Sequence, residues 1–423
     1  GMITPHEDGW SVDAWIIPDE GESLLPSRCR GAVQKLSFAP SPMVETRSAD
    51  NGHELTTTVD MIEWESVPTC RLRVHARADS PGWLVLAPRP VNPEGVVFIQ
   101  EIAADEDRRV LRINEDQMMV FDAAPDHLTM SEYAVGDVLQ ELPDGEPQTS
   151  IKCRVGMATA AAMFRLDPEK PRKLTTYMPL SEKQTTAPAV PDDPQQASAS
   201  ADRAWENVIS GSCEMDVPDQ RMNELFNAAV HTLVQHSPGE VYPGPYTYKR
   251  FWFRDAAYIL NGLLLAGFSD RVERCLADFP DRQTGGGYFR SQEGEWDSNG
   301  EAIWIMERFA RFTGRPLDGE LVRAAERGAD WIGRKRTSSN SGEPHAGLLP
   351  AGSSAEHLGP NDYYYWDDFW SVAGLQSAAR MFESRGEADM AAKWRAEADD
   401  LLQCVEHSLT RTDARRDRPG IPA

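Results

Sequence analysis

Positive charge is the scarce commodity in this chain: 43 Lys and Arg stand against 67 Asp and Glu, a formal net charge of −24 over 423 residues. A nucleic acid needs a basic face to meet its phosphates, and an anionic membrane surface asks for the same, so neither is an expected partner. Cysteine is short as well. Cys29, Cys70, Cys153, Cys213, Cys275 and Cys404 are scattered, with no C-x-x-C pair and no Cys/His cluster at zinc spacing. They read as reduced core thiols, and no metal or cofactor is expected. No apolar run approaches the ~20 residues of a membrane span. The start, Met2-Ile3-Thr4-Pro5-His6-Glu7-Asp8, is polar rather than a signal peptide, which makes the cytoplasm the expected compartment and leaves secretion open if a leader was trimmed. The rest, 40% hydrophobic and 26% charged, is ordinary globular usage with length for two or three domains.

Two periodicities divide the chain. From about residue 10 to 180 the pattern has period two with frequent Pro/Gly/Asp/Asn punctuation; Arg71-Leu72-Arg73-Val74-His75-Ala76-Arg77 alternates without a break, as a strand buried on one face requires. Residues 83–87, 96–100, 110–113, 118–121, 151–155 and 174–178 read similarly, and this spacing predicts an antiparallel β-sandwich over 1–180. Residues 181–203, rich in Pro, Thr, Gln, Ala and Ser, have too little apolar content for a core and read as a linker. From 204 to 423 the period becomes 3.6. Stripes such as Met222, Leu225, Phe226, Ala229 and Leu233, or Trp394, Ala398, Leu401, Leu402 and Val405, predict roughly seven helices stacked as αα-hairpins, with alternately short and long connections.

Rings and acids collect in the long connections. Tyr363-Tyr364-Tyr365-Trp366-Asp367-Asp368-Phe369-Trp370 places adjacent carboxylates within aromatic residues at a helix start. Flat rings cover the C–H face of a pyranose, and a carboxyl that has lost its hydration keeps a proton near neutral pH, as a general acid must. The plainer reading of Asp367 and Asp368 is the acidic preference of a helix N-terminus. Phe251-Trp252-Phe253-Arg254-Asp255 has the same two readings: an ordinary first-turn Asp paired with its neighbour, or an acid and a guanidinium that together satisfy sugar hydroxyls, which both donate and accept. In Trp296-Asp297-Ser298-Asn299-Gly300-Glu301, helix capping by Asp297 and Glu301 competes with substrate contact. Other candidates fall away. Gly285-Gly286-Gly287-Tyr288 lacks P-loop spacing and predicts a mobile or tight turn, Glu356-His357 lacks a second His at helical spacing, and Ser353-Ser354 lacks the surroundings of a nucleophile elbow.

In order and motif the chain resembles the glucoamylase family of glycoside hydrolases and related six-hairpin glycosidases, trehalases included. Trp252-Phe253-Arg254-Asp255 is similar to the family's Trp-x-Arg-Asp, whose Arg and Asp hold the sugar at the cleavage subsite. Trp296-Asp297 is similar to its next aromatic loop, a substrate wall that Tyr365 and Trp366 extend. Trp366-Asp367-Asp368 resembles Trp-Glu-Glu, in which the first acid protonates the leaving oxygen, with Asp in place of Glu here; that makes Asp367 the acid and Asp368 its rival. The resemblance implies a β-sandwich followed by an (α/α) toroid, about half of it present, and an inverting glycosidase acting on α-linked oligosaccharides or small glucosides. The family's general base falls late in the toroid and has no counterpart here, so a longer product, or a second copy covering the open toroid, is expected. A phosphorylase of the same fold, which needs no protein base, and a non-catalytic carbohydrate-binding protein are the alternatives. A polysaccharide lyase is disfavoured by the charge, since its anionic substrate would meet a chain of −24.

Overall fold

The computed structural model describes residues 2–38, 41–114, 116–180, 194–245, 247–354 and 357–413, in two units, Gly1–Ser210 and Gly211–Ala423. In the first unit a four-stranded antiparallel sheet runs in the order Ser11–Pro18, Gly82–Arg89, Thr159–Leu166, His127–Ser131. A nine-stranded sheet runs Ser150–Lys152, Glu101–Ala104, Val110–Ile113, Gln117–Phe121, Arg172–Pro179, Val67–Arg77, His53–Trp64, Met43–Asp50, Val33–Ser37. Strand alternation sends Val12, Ala14 and Ile16 of the smaller sheet into one core with Leu72, Val74 and Ala76 of the larger, the interior of a sandwich. Trp15 and Ile17 point the other way, into a second cluster with Val85, Ala161, Met163 and Val138. Both faces of the smaller sheet are thus buried, which is why Thr159–Leu166, an almost unbroken apolar run, shows no alternation.

Residues 181–193 of the expected linker lie outside the described residues. Residues 194–203 begin helix α1, Pro194–Ile209, which lies against the strand His53–Trp64. Arg71 ties the two together: its Nη2 bonds Asp60 Oδ2 at 2.6 Å and Ser198 Oγ at 2.9 Å. The linker reading therefore gives way here to a helix of the first unit, because an Ala/Gln-rich stretch keeps enough helix propensity to form once a sheet covers it.

The second unit contains seven α-helices among its described residues: α2 (Gln220–Gln235), α3 (Phe253–Leu265), α4 (Ser269–Ala277), α5 (Ser298–Thr313), α6 (Gly319–Lys335), α7 (Tyr365–Ser384) and α8 (Ala388–Asp413). A short hairpin, Gly352–Ser354 with His357–Asp362, interrupts the all-helical expectation. The turns after α3, α5 and α7 are short, and Gly314 closes α5 in the left-handed conformation at φ 70°. The connections before α3, α5 and α7 are long. Helices α3 and α5 pack on one another, as do α5 and α7, over a core that includes Leu260, Ile303, Ile305, Leu375 and Ala378. Two glycines set the α5/α7 distance. A Cβ on Gly300 would lie 2.0 Å from the Trp370 carbonyl, and one on Gly374 would lie 2.5 Å from Gly300 Cα.

One stripe is buried only in part: Leu233 packs against the core, but its N-terminal members do not. In α2 the buried residues are Val230, His231 and Val234, while Met222 and Leu225 are about half exposed, so only the C-terminal half of this helix enters the core. The cysteines divide too: Cys70, Cys153 and Cys275 are buried and Cys213 is exposed. Among the described residues no helix is long and apolar enough to cross a membrane, and no group of three or more His, Cys, Asp or Glu could hold a metal ion. Glu356 lies outside the described residues.

Candidate functional site

Since the connections before α3, α5 and α7 are the long ones, the N-terminal ends of these three helices meet at one end of the unit and carry the charged motifs together. Arg254, in the first turn of α3, crosses to the start of α5. Its Nε donates to Asp297 Oδ2 at 2.8 Å, and its Nη2 forms an ion pair with the same oxygen at 2.8 Å and stands 3.9 Å from Glu295 Oε1. The same Asp297 oxygen accepts from Trp366 Nε1 of α7 at 2.8 Å. One carboxylate oxygen therefore fixes a guanidinium from α3 and an indole from α7. Asp297 occupies the N-cap position of α5 yet makes no capping bond, so the capping reading fails for this residue.

Electrostatics here follow from burial. The Arg254 guanidinium loses hydration, which works against its charge, but its ion pair and hydrogen bond with Asp297, foremost among the neighbouring acids, outweigh that and hold it above its ordinary range. Asp367 is 5% exposed, and among the described residues no group hydrogen-bonds its carboxyl. Burial pushes it up to about 9, helped by the charges of Asp297 and Asp368 and opposed by Arg254. A helix N-terminus would favour the anion by about 0.3–1 kcal/mol, under one pH unit, so desolvation wins. Asp368 differs from its neighbour. Its Oδ1 accepts from the Leu349 backbone N–H at 2.9 Å, tying α7 to the preceding connection. Burial raises it to about 7, with the Leu349 bond and Arg336 holding it down.

The expected aromatic wall is only partly present. Trp366 is 43% exposed beside Asp367. Trp296 instead turns into a buried cluster with Tyr288 and Trp331, covered by Lys335 Nζ at 3.8 Å from its ring. Tyr365 faces α8, its hydroxyl 2.8 Å from Ser408 Oγ. Trp252 lies under the Arg250 guanidinium, 4.2 Å from its ring, with its own Nε1 buried and without a hydrogen-bond partner among the described residues. Asp255, also in the first turn of α3, is near enough for its charge to hold the Glu301 proton on. The Gly-rich segment forms a tight turn: a Cβ on Gly287, at φ 90°, would lie 2.3 Å from the Arg327 carbonyl, and Asn299 Nδ2 holds the Gly287 carbonyl at 2.9 Å.

Two further rings stand at this end: Tyr258, outside the motifs, and Trp370, the last residue of the ring-rich one. Tyr258 on α3 meets Trp370 on α7 edge to face at 5.8 Å, and Trp370 meets Trp366 at 6.0 Å. Each lies four residues after a motif residue, Arg254 and Trp366, and so on the same helix face, the signal that could have found Tyr258.

No protein-family model matches the sequence, and no curated protein matches it either. Solved structures do match. A bacterial glucoamylase complexed with acarbose is similar over 93% of this chain at a TM-score of 0.72 and 14% identity, and the chain spans 61% of that protein's length. A family GH92 alpha-mannosidase from Bacteroides thetaiotaomicron in complex with mannoimidazole follows at 0.47 and 8% identity, with 92% of this chain and 56% of that one covered. A rhamnosidase from Klebsiella oxytoca with rhamnose bound follows at 0.40 and 13%, with 75% and 70% covered. An antiparallel β-sandwich followed by helical hairpins, superposable on the first of these, is a glucoamylase-like fold of the six-hairpin glycosidase kind.

Proposed function

We propose that this protein belongs to a glycoside-cleaving enzyme of the inverting type acting on α-linked glucosides, with Asp367 as its general acid. The observation that carries the reading is the environment of Asp367, a carboxyl that burial holds protonated at neutral pH, that has no hydrogen bond committing it elsewhere among the described residues, and that stands beside an exposed indole and a fixed guanidinium. Asp367 donates that proton to the glycosidic oxygen as the bond to the anomeric carbon breaks, and the leaving sugar departs as an alcohol. Positive charge develops on the ring, and the carboxylates around Arg254 favour it. In inversion a water then attacks from the opposite face, some 6.5–9.5 Å from the acid when measured to the group that activates it. Asp368 is not that group, being a sequence neighbour bound to the Leu349 N–H. Arg254 and Asp255 hold sugar hydroxyls, and Trp366 covers a sugar face. Trp296 and Tyr365 support the site from behind.

The test is hydrolysis of maltose-type oligosaccharides, the class suggested by the acarbose bound to the structural neighbour. Asp367→Asn is expected to lower kcat on poor leaving groups by about 10²–10⁴. Near-normal turnover would remove Asp367 from the acid role, and turnover that depends on added phosphate would replace hydrolysis by phosphorolysis. Met222, Leu225 and Leu265, each about half exposed, are the surface a second copy would cover; a strictly monomeric sedimentation profile would refute that pairing.

A further inference from the structure

Glu301 has no part in the mechanism above, yet it is the most deeply buried acid at this end of the unit. It is fully buried one helical turn after Asp297, itself 1% exposed. Its backbone N–H bonds the Asp297 carbonyl at 3.1 Å, the regular helical bond, so the two side chains leave the same face of α5. Two carboxylates at that spacing, out of water, repel each other with little screening. The groups facing them from α3 are Arg254, Asp255 and Tyr258, only one of which is a cation. Glu295, in the connection before α5, adds a further negative charge near the same guanidinium. The Arg254 Nε and Nη2 each stand 2.8 Å from Asp297 Oδ2, against 3.9 Å from Nη2 to Glu295, and the Trp366 indole goes to Asp297 Oδ2 as well. One positive charge balances one carboxylate, and the geometry gives it to Asp297.

We propose that Glu301 is a neutral carboxylic acid whose proton is donated to the second oxygen of Asp297, making Glu301 a positioning residue for the sugar subsite through Asp297, Arg254 and Trp366. Neither Glu301 oxygen meets a hydrogen-bond donor among the described residues, and the acceptor that shares its helix face, one turn before, is the Asp297 carboxylate. Burial, then the Asp297 charge, holds that proton well above the usual carboxylate range, the direction the arrangement requires. The donated hydrogen bond restricts rotation of the Asp297 carboxylate, and Asp297 in turn aims the guanidinium and the indole. An anionic Glu301 would instead push Asp297 away and compete for Arg254.

The inference rests on the glycosidase reading only for its kinetic arm. Glu301→Gln keeps the shape and an N–H donor, so it is expected to retain most of kcat; Glu301→Leu, similar in volume and unable to donate, is expected to lose about 10²-fold in kcat as the subsite shifts. A Gln variant as poor as the Leu variant, or a Leu variant at wild-type kcat, would overturn the proposal. The second arm needs no substrate. In the infrared difference spectrum of wild type against Glu301→Gln at pH 7, the wild type is expected to show one additional protonated-carboxyl band. Loss of an ionised-carboxylate band in its place overturns the proposal, even if the protein cleaves no sugar. Absence of cleavage by the wild type, with the protonated band present, sinks the glycosidase reading and leaves the proton assignment standing.

Discussion

Asp367→Asn is expected to make the protein slower and more stable in the same stroke, and the size of the second effect follows from linkage. In the unfolded chain this carboxyl ionises at about 3.9. Folded, burial holds it neutral up to about 9. Between those values the folded state binds the extra proton, so stability falls as pH rises, by about 1.4 kcal/mol per unit. At pH 7 the accumulated cost is about 4 kcal/mol as an upper bound, since neighbouring acids readjust when one of them changes. Asparagine does not titrate and is free of this cost. For a unit of this size a gain of 2–4 kcal/mol corresponds to a rise in Tm of roughly 5–10 °C. The assay is denaturant unfolding of wild type and Asp367→Asn at pH 4, 6, 8 and 9, followed by tryptophan fluorescence. The curves should coincide near pH 4 and diverge steadily above it, the variant staying higher. Parallel curves between pH 5 and 8 would refute the reasoning, because the proton would then not reside on Asp367.

Other changes separate the neighbouring residues. Arg254→Ala leaves Asp297 buried beside other acids without its cation, and is expected to cost about 3–5 kcal/mol in unfolding free energy and to abolish sugar binding by calorimetry. Asp368→Ala removes the acceptor of the Leu349 N–H and should cost about 1–3 kcal/mol while lowering kcat far less than Asp367→Asn; the reverse order of kcat would exchange their roles. Gly300→Ala puts a methyl group into the Trp370 carbonyl, so a loss of about 1–3 kcal/mol, or failure to fold, is expected together with a changed near-ultraviolet dichroism of the tryptophans.

The two-part architecture was legible because period two and period 3.6 are each set by burial on one face, and the change of period falls near the end of the strands. Where burial is two-sided the signal vanishes, as in Thr159–Leu166, where both faces are covered. The linker reading went too far into 194–203 because composition cannot show that a sheet lies beneath a polar helix. At the candidate site, Arg254, Asp297, Trp366 and Asp367 were legible as charge beside rings at helix starts. What each touches was not, since that depends on which helix ends meet. Trp296 and Tyr365 look in sequence like the rings that face the acids, but their packing partners, Trp331 and Ser408, lie 35 and 43 residues later in the chain. Glu301 was legible as a capping residue or a substrate contact but not as a buried acid, because nothing in a sequence shows that a glutamate in a first helical turn has no water around it.

The alternation of short and long connections also separates what can be altered from what cannot. Gly314 and Gly386 sit in the short turns at the far ends of α5 and α7, each in the left-handed conformation that favours glycine, at φ 70° and 78°, so it is their exposed neighbours Arg315 and Arg385 that can be altered. At 1.5 Å per residue, the 20 residues of α7 place Gly386 about 30 Å from Asp367. A spectroscopic label, an affinity handle or a surface tether attached at these turns would therefore report on or immobilise the helical unit without entering the region of the acids. The same turns are natural places for length variation to accumulate, since an added residue there need not move Asp297, Glu301 or Asp367 at the opposite helix ends.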